Sequence, residues 1–262
     1  MAHDQAASCS VRTLWVWPGG IFPRRVAYYV KAKSLTADHL NRLGLTLIPC
    51  TVDLKSQDLA LDAIPGYEKR PKGFSLPVLR IQDLESSNHS EFIAQSSSIL
   101  EYLEDLLPAS DGYLSLRGDD AFQAARIRDI VQLINEVLTW CNVHVRHLTA
   151  FSLGWSGMTK EQQSPQAGED AKVQYRRLLT TLQSWTNTCS KGVSLVGADR
   201  PTLADITAAA AKTSMEELYG IDLFDGFEGL GAWWTRYQSS PWFVIRDVID
   251  QIEKDGFNLL LK

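Results

Sequence analysis

The sequence predicts an α/β domain followed by an all-α domain. Three observations carry this. The first hundred or so residues alternate short β-branched and aromatic runs with helical spacings, opening as a β-α-β unit. Around Pro108 the texture changes to a Ser-, Asp- and Gly-rich stretch, Ala109 to Gly118, which reads as a linker. Beyond it only helical periodicity recurs. The bounds that follow are a polar, disordered tail over 1–11, an α/β domain over 12–107, a linker over 108–118 and a helical domain over 119–262.

The elements follow in order. Thr13 to Trp17 is short, β-branched and aromatic, hence a strand, and Pro18-Gly19-Gly20 ends it. Apolar positions at Phe22, Val26, Tyr29 and Val30 have helical spacing, with Pro23 tolerated in the first turn. Further strands are expected at about Thr46 to Leu54, Leu76 to Ile81 and Glu91 to Ala94, with Asn88 in the turn before the last. Ser96 to Leu107 is amphipathic through Ile99, Leu100, Leu103 and Leu106, and Pro108 stops it. Ile127, Ile130, Val131, Ile134, Leu138, Cys141 and Val145 trace one face of a long helix. Phe151 to Asp170, rich in Gly, Pro, Ser and Gln, is expected to be a long loop. Helices then follow at roughly 170–189, 202–219, 227–239 and 241–254.

Composition narrows the function. The 262 residues include eight Trp, eight Tyr and nine Phe, enough for a sizeable core and too many for bulk disorder. The formal net charge of −5 leaves no basic excess to neutralise a phosphate backbone, so nucleic acid is not an expected partner. No apolar run reaches membrane-spanning length, and MAHDQAASCS lacks the basic and apolar regions of a signal peptide, so a cytoplasmic location is expected. Cys9, Cys50, Cys141 and Cys189 form no C-x-x-C pair and no zinc-ligand spacing, so neither a metal nor a disulfide framework is expected.

Three local motifs carry chemistry. In Ser75-Leu76-Pro77-Val78-Leu79 a proline opens a strand. Such a corner is either a simple tight turn or a cis-proline corner that exposes the backbone of Leu76 to an extended peptide. Gln95-Ser96 stands where a helix begins; Ser96 is either a helix cap or part of an anion site built on the free amides. Thr202 and Asp205 have capping-box spacing, with Pro201 and Ile206 placed as a hydrophobic staple.

Together and in this order, the motifs resemble the glutathione S-transferase superfamily, from about Thr13 to Phe243. The resemblance implies a thioredoxin-like domain that binds glutathione, then a helical domain that supplies a hydrophobic substrate site, in a chain that is commonly a homodimer. It implies that Leu76-Pro77 holds the cysteinyl backbone of glutathione and that Gln95 and Ser96 hold the γ-glutamyl group. Lys55, Lys72 and Arg70 are then the cations for the glycyl carboxylate, with Phe74 and Ser75 beside the corner. Trp17 and Phe22 from the first loop, Trp140, His144 and His147 at i, i+4 and i+7 of the long helix, and Phe151 in the following loop are the expected substrate-site residues, with Trp155 as part of a lid. For the two histidines a satisfied, partly buried role stands beside the functional one.

One departure is informative. The family's usual loop pattern aligns Arg25 with its arginine and puts Gly20 where a Ser, Tyr or Cys faces the glutathione sulfur. Trp17-Pro18-Gly19-Gly20-Ile21-Phe22 has no hydroxyl and no thiol. Such a hydroxyl lowers the thiol pKa by donating to the thiolate. Here the thiolate must be stabilised by the amides from Gly20 to Phe22 at the first helix's N-terminus, by the guanidinium of Arg24 or Arg25, by Tyr28 from within the helix, or not at all. The resemblance thus implies an enzyme adding glutathione thiolate to a hydrophobic electrophile, an unsaturated carbonyl or an epoxide. The unusual loop resembles fungal members of secondary-metabolite pathways. A glutathione-dependent cis-trans isomerase and a non-catalytic ligand-binding module are the alternatives.

Overall fold

The computed structural model describes residues 10–53, 60–83, 90–186 and 192–261. The chain divides into two compact units. The first comprises Met1–Thr51, Asp62–Leu107 and Ile245–Lys262; the second comprises Val52–Leu61 and Pro108–Val244.

The first unit is built on a five-stranded sheet of order β3-β2-β1-β4-β5: β1 (Ser10–Val16), β2 (Leu45–Val52), β3 (Leu61–Ala63), β4 (Val78–Asp83) and β5 (Ser90–Ile93). β1 runs parallel to β2 and antiparallel to β4, which pairs antiparallel with β5. That mixed sheet is the thioredoxin-like arrangement. Tail residues 1–9 lie outside the described residues, but Ser10 and Val11, expected in the tail, pair with Asp83 and Gln82. The expected turn residue Asn88 also lies outside the described residues.

Helix α1 (Arg24–Ala32) and helix α3 (Ser96–Leu106) are joined by buried polar groups. The Lys33 ammonium, 2.7 Å from the Glu104 carboxylate, also donates to the Leu107 carbonyl at 3.0 Å. The Tyr29 hydroxyl donates to Glu104 at 3.0 Å. A short helix between them, α2 (Ala37–Arg42), has no counterpart in the sequence reading. Thr36 and His39 cap it reciprocally, with His in place of the usual Glu or Gln, which hides the signal.

The second unit is helical, with α4 (Ala121–Leu148), α5 (Leu153–Ser156), α6 (Pro165–Thr186), α7 (Leu203–Tyr219) and α8 (Glu228–Gln238). The expected linker is anchored: Leu116 is buried, and its carbonyl accepts the Leu203 amide at 2.9 Å. The expected long loop over Phe151–Asp170 is largely helical, holding α5, a 3-10 turn at Lys160–Gln162 and the first turn of α6. Pro165 suits a first helical position. Gly168 continues the helix because α6 packs closely on α4: a Cβ there would meet Leu148 Cγ at 2.6 Å.

Helix α7 is buried from Leu203 through Met215. Its start is the expected capping box. Thr202 donates to one oxygen of Asp205 from its amide (2.8 Å) and its hydroxyl (2.6 Å). Leu195 and the Trp233 indole donate to the other at 2.7 and 2.9 Å. Burial still dominates, raising the Asp205 carboxyl to about 6.

The last helix corrects the sequence reading twice. It runs from Arg246 to Asp255 (α9), rather than from 241, and Ile245–Lys262 packs in the first unit rather than in the helical one. Ile249 and Ile252 bury its apolar face. Tyr67 and Pro49 press on Gly256, where φ is +90° and a Cβ would stand 2.7 Å from the Tyr67 hydroxyl.

Candidate functional site

β1 and β2 are parallel, so their C-terminal ends lie together at Val16 and Pro49. In open α/β sheets that end of the strands is where loops gather to bind ligands. The loop leaving β1 is wound tightly about its own tryptophan. The Gly20 amide donates to the Trp17 carbonyl at 3.0 Å, and the Arg24 amide donates to the Gly20 carbonyl at 2.9 Å. A Cβ on Gly20 would stand 2.6 Å from the Trp17 ring, and one on Gly19 would stand 2.9 Å from its Nε1. The two glycines are there because the indole leaves room for nothing larger.

This geometry tests each way of replacing a loop hydroxyl. The Gly20 N–H closes the turn on Trp17, so it is already spent. The amides of Ile21 and Phe22 remain from the expected set. Arg24 is buried, and its Nε donates to the Pro18 carbonyl at 2.9 Å, which makes it a brace for the loop. Trp17, only half-buried, lies against the two glycines, and the Phe22 ring carries the Arg25 guanidinium 5.1 Å from its centroid.

Leu76-Pro77 is a cis peptide immediately before β4. Leu76 is buried, while Ser75 and Lys72 are exposed. Phe74 stacks on Phe92 with centroids 4.7 Å apart. Its carbonyl accepts from Arg70 at 2.7 Å, so Arg70 serves to hold the approach to the corner. Lys55 lies outside the described residues.

At the end of the strand-to-helix turn, Gln95 is the N-cap and is exposed, while Ser96 is the first helical residue and is buried. Ser96 therefore does not cap α3. Its Oγ accepts from the Arg25 guanidinium at 3.1 Å, and Ser97 Oγ lies 3.3 Å from the same nitrogen. Burial pulls the Arg25 pKa down to about 9. A cation at a helix N-terminus opposes the macrodipole. A bound anion relieves both costs at once.

The sequence reading missed Glu253. This α9 carboxylate accepts the Gly19 N–H and, at 3.3 Å, the Thr51 hydroxyl. Its Oε1 lies 2.5 Å from where a Gly19 Cβ would be. Burial raises its pKa above the ordinary glutamate value. The glycine pair was the only local signal, since a Gly-Gly turn often marks a close approach.

The other candidates lie in the second unit. His144, expected to share a face with Trp140 and His147, is instead buried between α4 and α6. Its Nδ1 is 2.8 Å from the Gly168 carbonyl, so it donates there, and its ring meets Tyr175 edge-on. It is a structural histidine. Trp140 and His147 are half-buried. His147 Nδ1 accepts the Ser164 amide at 3.0 Å, which leaves the proton on Nε2. His147 borders a shallow cavity with Val143, Arg146, Met158 and Gln162. Phe151 packs edge-on against Tyr219, and the Trp155 indole N–H donates to the Tyr219 hydroxyl.

Cys50 and Cys141 are buried, and burial pushes both thiols up, Cys50 to about 12, which leaves them poor nucleophiles. Cys9 and Cys189 lie outside the described residues. Among the described residues no three His, Cys, Asp or Glu side chains gather to hold a metal ion, and no helix is long and apolar enough to cross a membrane.

Solved structures decide the fold. A glutathione S-transferase from Methylobacillus flagellatus, with glutathione bound, matches with a TM-score of 0.60 and 17% identity over 88% of this chain and 96% of its own. The chain has the glutathione transferase fold. Glutathione transferase F7 from Populus trichocarpa shares that fold at a TM-score of 0.59 and 15% identity, over 93% of this chain and all of its own. Maleylacetoacetate isomerase from Anaeromyxobacter dehalogenans, with glutathione in its active site, shares it at 0.59 and 18%, over 95% and 98%. No family model and no curated protein matches the sequence. The loop after β1, from Trp17 to Phe22, carries no hydroxyl and no thiol side chain.

Proposed function

We propose that the protein is a glutathione-dependent enzyme whose first unit binds the tripeptide and whose chemistry is thiolate addition to a hydrophobic electrophile, an unsaturated carbonyl or an epoxide. The observation that carries this is the pairing of a cis Leu76-Pro77 corner with the buried Arg25–Ser96 contact at the start of α3. The corner offers the Leu76 amide and carbonyl to an extended peptide backbone. Ser96, Ser97, the α3 amides and Arg25 suit a carboxylate, such as that of the γ-glutamyl group. Gln95 is exposed beside them for the amine, and Lys72 is exposed before the corner for the glycyl carboxylate. Phe74 and Ser75 flank the peptide. The bound glutathione in two of the similar structures supports this reading.

The residues divide the work. Arg24 and the two glycines hold the loop in shape, and Ile21 offers a backbone amide toward the sulfur. For the electrophile, Trp17 and Phe22 are the proposed aromatic surfaces of the first unit, and Trp140, His147 and Phe151 those of the second. The proposed setting is a cytoplasmic homodimer in a secondary-metabolite pathway, with a dedicated substrate. Isothermal titration with glutathione tests the reading; no binding near millimolar concentration sinks it.

Isomerisation is the second reading, and the isomerase among the similar structures favours it. Reversible addition to a conjugated alkene lets the bond rotate and returns glutathione unconsumed. Mass spectrometry separates the two, because a stable adduct means transfer and a product of unchanged mass means isomerisation. The missing loop hydroxyl also favours a non-catalytic binding module. An unshifted thiol pKa in the complex would support that role.

A further inference from the structure

We propose that Glu253 is the proton acceptor for a thiol bound at the β1–α1 loop, supplying the function that the absent side chain at Gly20 does not. The inference rests on the glutathione reading above. Among the described residues, the carboxylate that contacts this loop comes from α9. Glu253 accepts the Gly19 N–H and the Thr51 hydroxyl, so its carboxylate stands over the C-terminal ends of both parallel strands. Its Oε1 lies 2.5 Å from where a Gly19 Cβ would be, next to Gly20, which the resemblance to glutathione S-transferases would place facing the sulfur. Trp17 Nε1 converges on the same point, 2.9 Å from it. A side chain at Gly19 would evict the carboxylate, so the glycine and the glutamate form one device.

The charges around Glu253 suit a base. Arg246 and Asp250 on its own helix act on it in opposite directions and pair with each other at 2.7 Å. From β2 it meets the uncharged Thr51, and from the loop it meets the Gly19 amide. Burial therefore governs its proton affinity and raises it above the ordinary glutamate value.

The step balances without another reagent. The S–H bond breaks and its proton passes to a Glu253 oxygen. The sulfur lone pair forms the bond to the electrophilic carbon. The electron pair displaced onto the electrophile takes the proton back from Glu253. The carboxyl is neutral while the sulfur is anionic, so the two never repel as a pair of anions during attack.

Glu253→Gln tests this, because its amide oxygen still accepts the Gly19 N–H while losing the proton site. Three readouts apply: glutathione affinity by calorimetry, the ionisation midpoint of the bound thiol by thiolate ultraviolet absorbance, and the pH profile of kcat/KM. The expected result is affinity within about threefold of wild type, kcat/KM lower by about 10²-fold or more, and loss of the acid limb. The bound-thiol midpoint should fall, because removing a neighbouring anion favours thiolate. Slower turnover with an easier ionisation is a combination that a merely structural role does not produce. Glu253→Asp should recover part of the rate. An unchanged midpoint and rate in Glu253→Gln would overturn the proposal and leave glutathione binding standing. A wild-type protein that binds no glutathione would overturn both.

Discussion

Ser96 and Asp205 are both buried polar side chains near helix starts, and they behave differently. Ser96 accepts from the Arg25 guanidinium in the first turn of α3. Ser96→Ala should weaken glutathione binding by about 1–3 kcal/mol, read by calorimetry, the range for a lost hydrogen bond to a charged group. Asp205 has four donors and is fully buried. Asp205→Ala leaves them unpaired and should cost about 3–5 kcal/mol in denaturant unfolding. Its titration has a definite sign. A folded pKa near 6 lies above the unfolded value, so the folded state binds more protons between about 4 and 6. Its contribution to stability is full below about 4 and is lost as pH rises through about 6. Measured against Asp205→Asn, wild-type stability should fall by roughly 2–3 kcal/mol across that window and then level off.

Among the elements, α1 and α3 are held by an ion pair with no access to water: the Lys33 and Glu104 side chains are 0% and 3% exposed. Glu104→Ala takes the carboxylate away from the buried Lys33 ammonium and should destabilise by about 3–5 kcal/mol. Replacing Lys33 and Glu104 together by Met and Leu should cost much less, since no buried charge remains. Thermal melts of the three proteins check the ordering. The regular elements were legible wherever periodicity ran long, as in the face from Ile127 to Val145. The misses share a physical cause. Gly168 reads as a helix breaker until its approach to Leu148 is known. The sequence left His144 open between a substrate-site and a satisfied structural role, and only the Gly168 carbonyl on α6 decides it. Partners on other elements decide these cases, and local spacing does not encode them.

For the whole molecule, the order of motifs carried the fold, because the cis-proline corner, the Gln95-Ser96 turn and the Thr202-Asp205 box each depend on neighbours within a few residues. The site was legible to the same extent. Leu76-Pro77 and Ser96 announce themselves locally, whereas Arg25's grip on Ser96 and Glu253's grip on Gly19 span most of a domain or most of the chain. The contact with Glu253 also sets a timetable. Gly19 leaves the ribosome long before the carboxylate that seizes it, with the whole of Pro108–Val244 made in between. The first unit is thus begun first and finished last. A nascent chain stopped before residue 253 holds a β1–α1 loop without its carboxylate partner, however well its strands have paired.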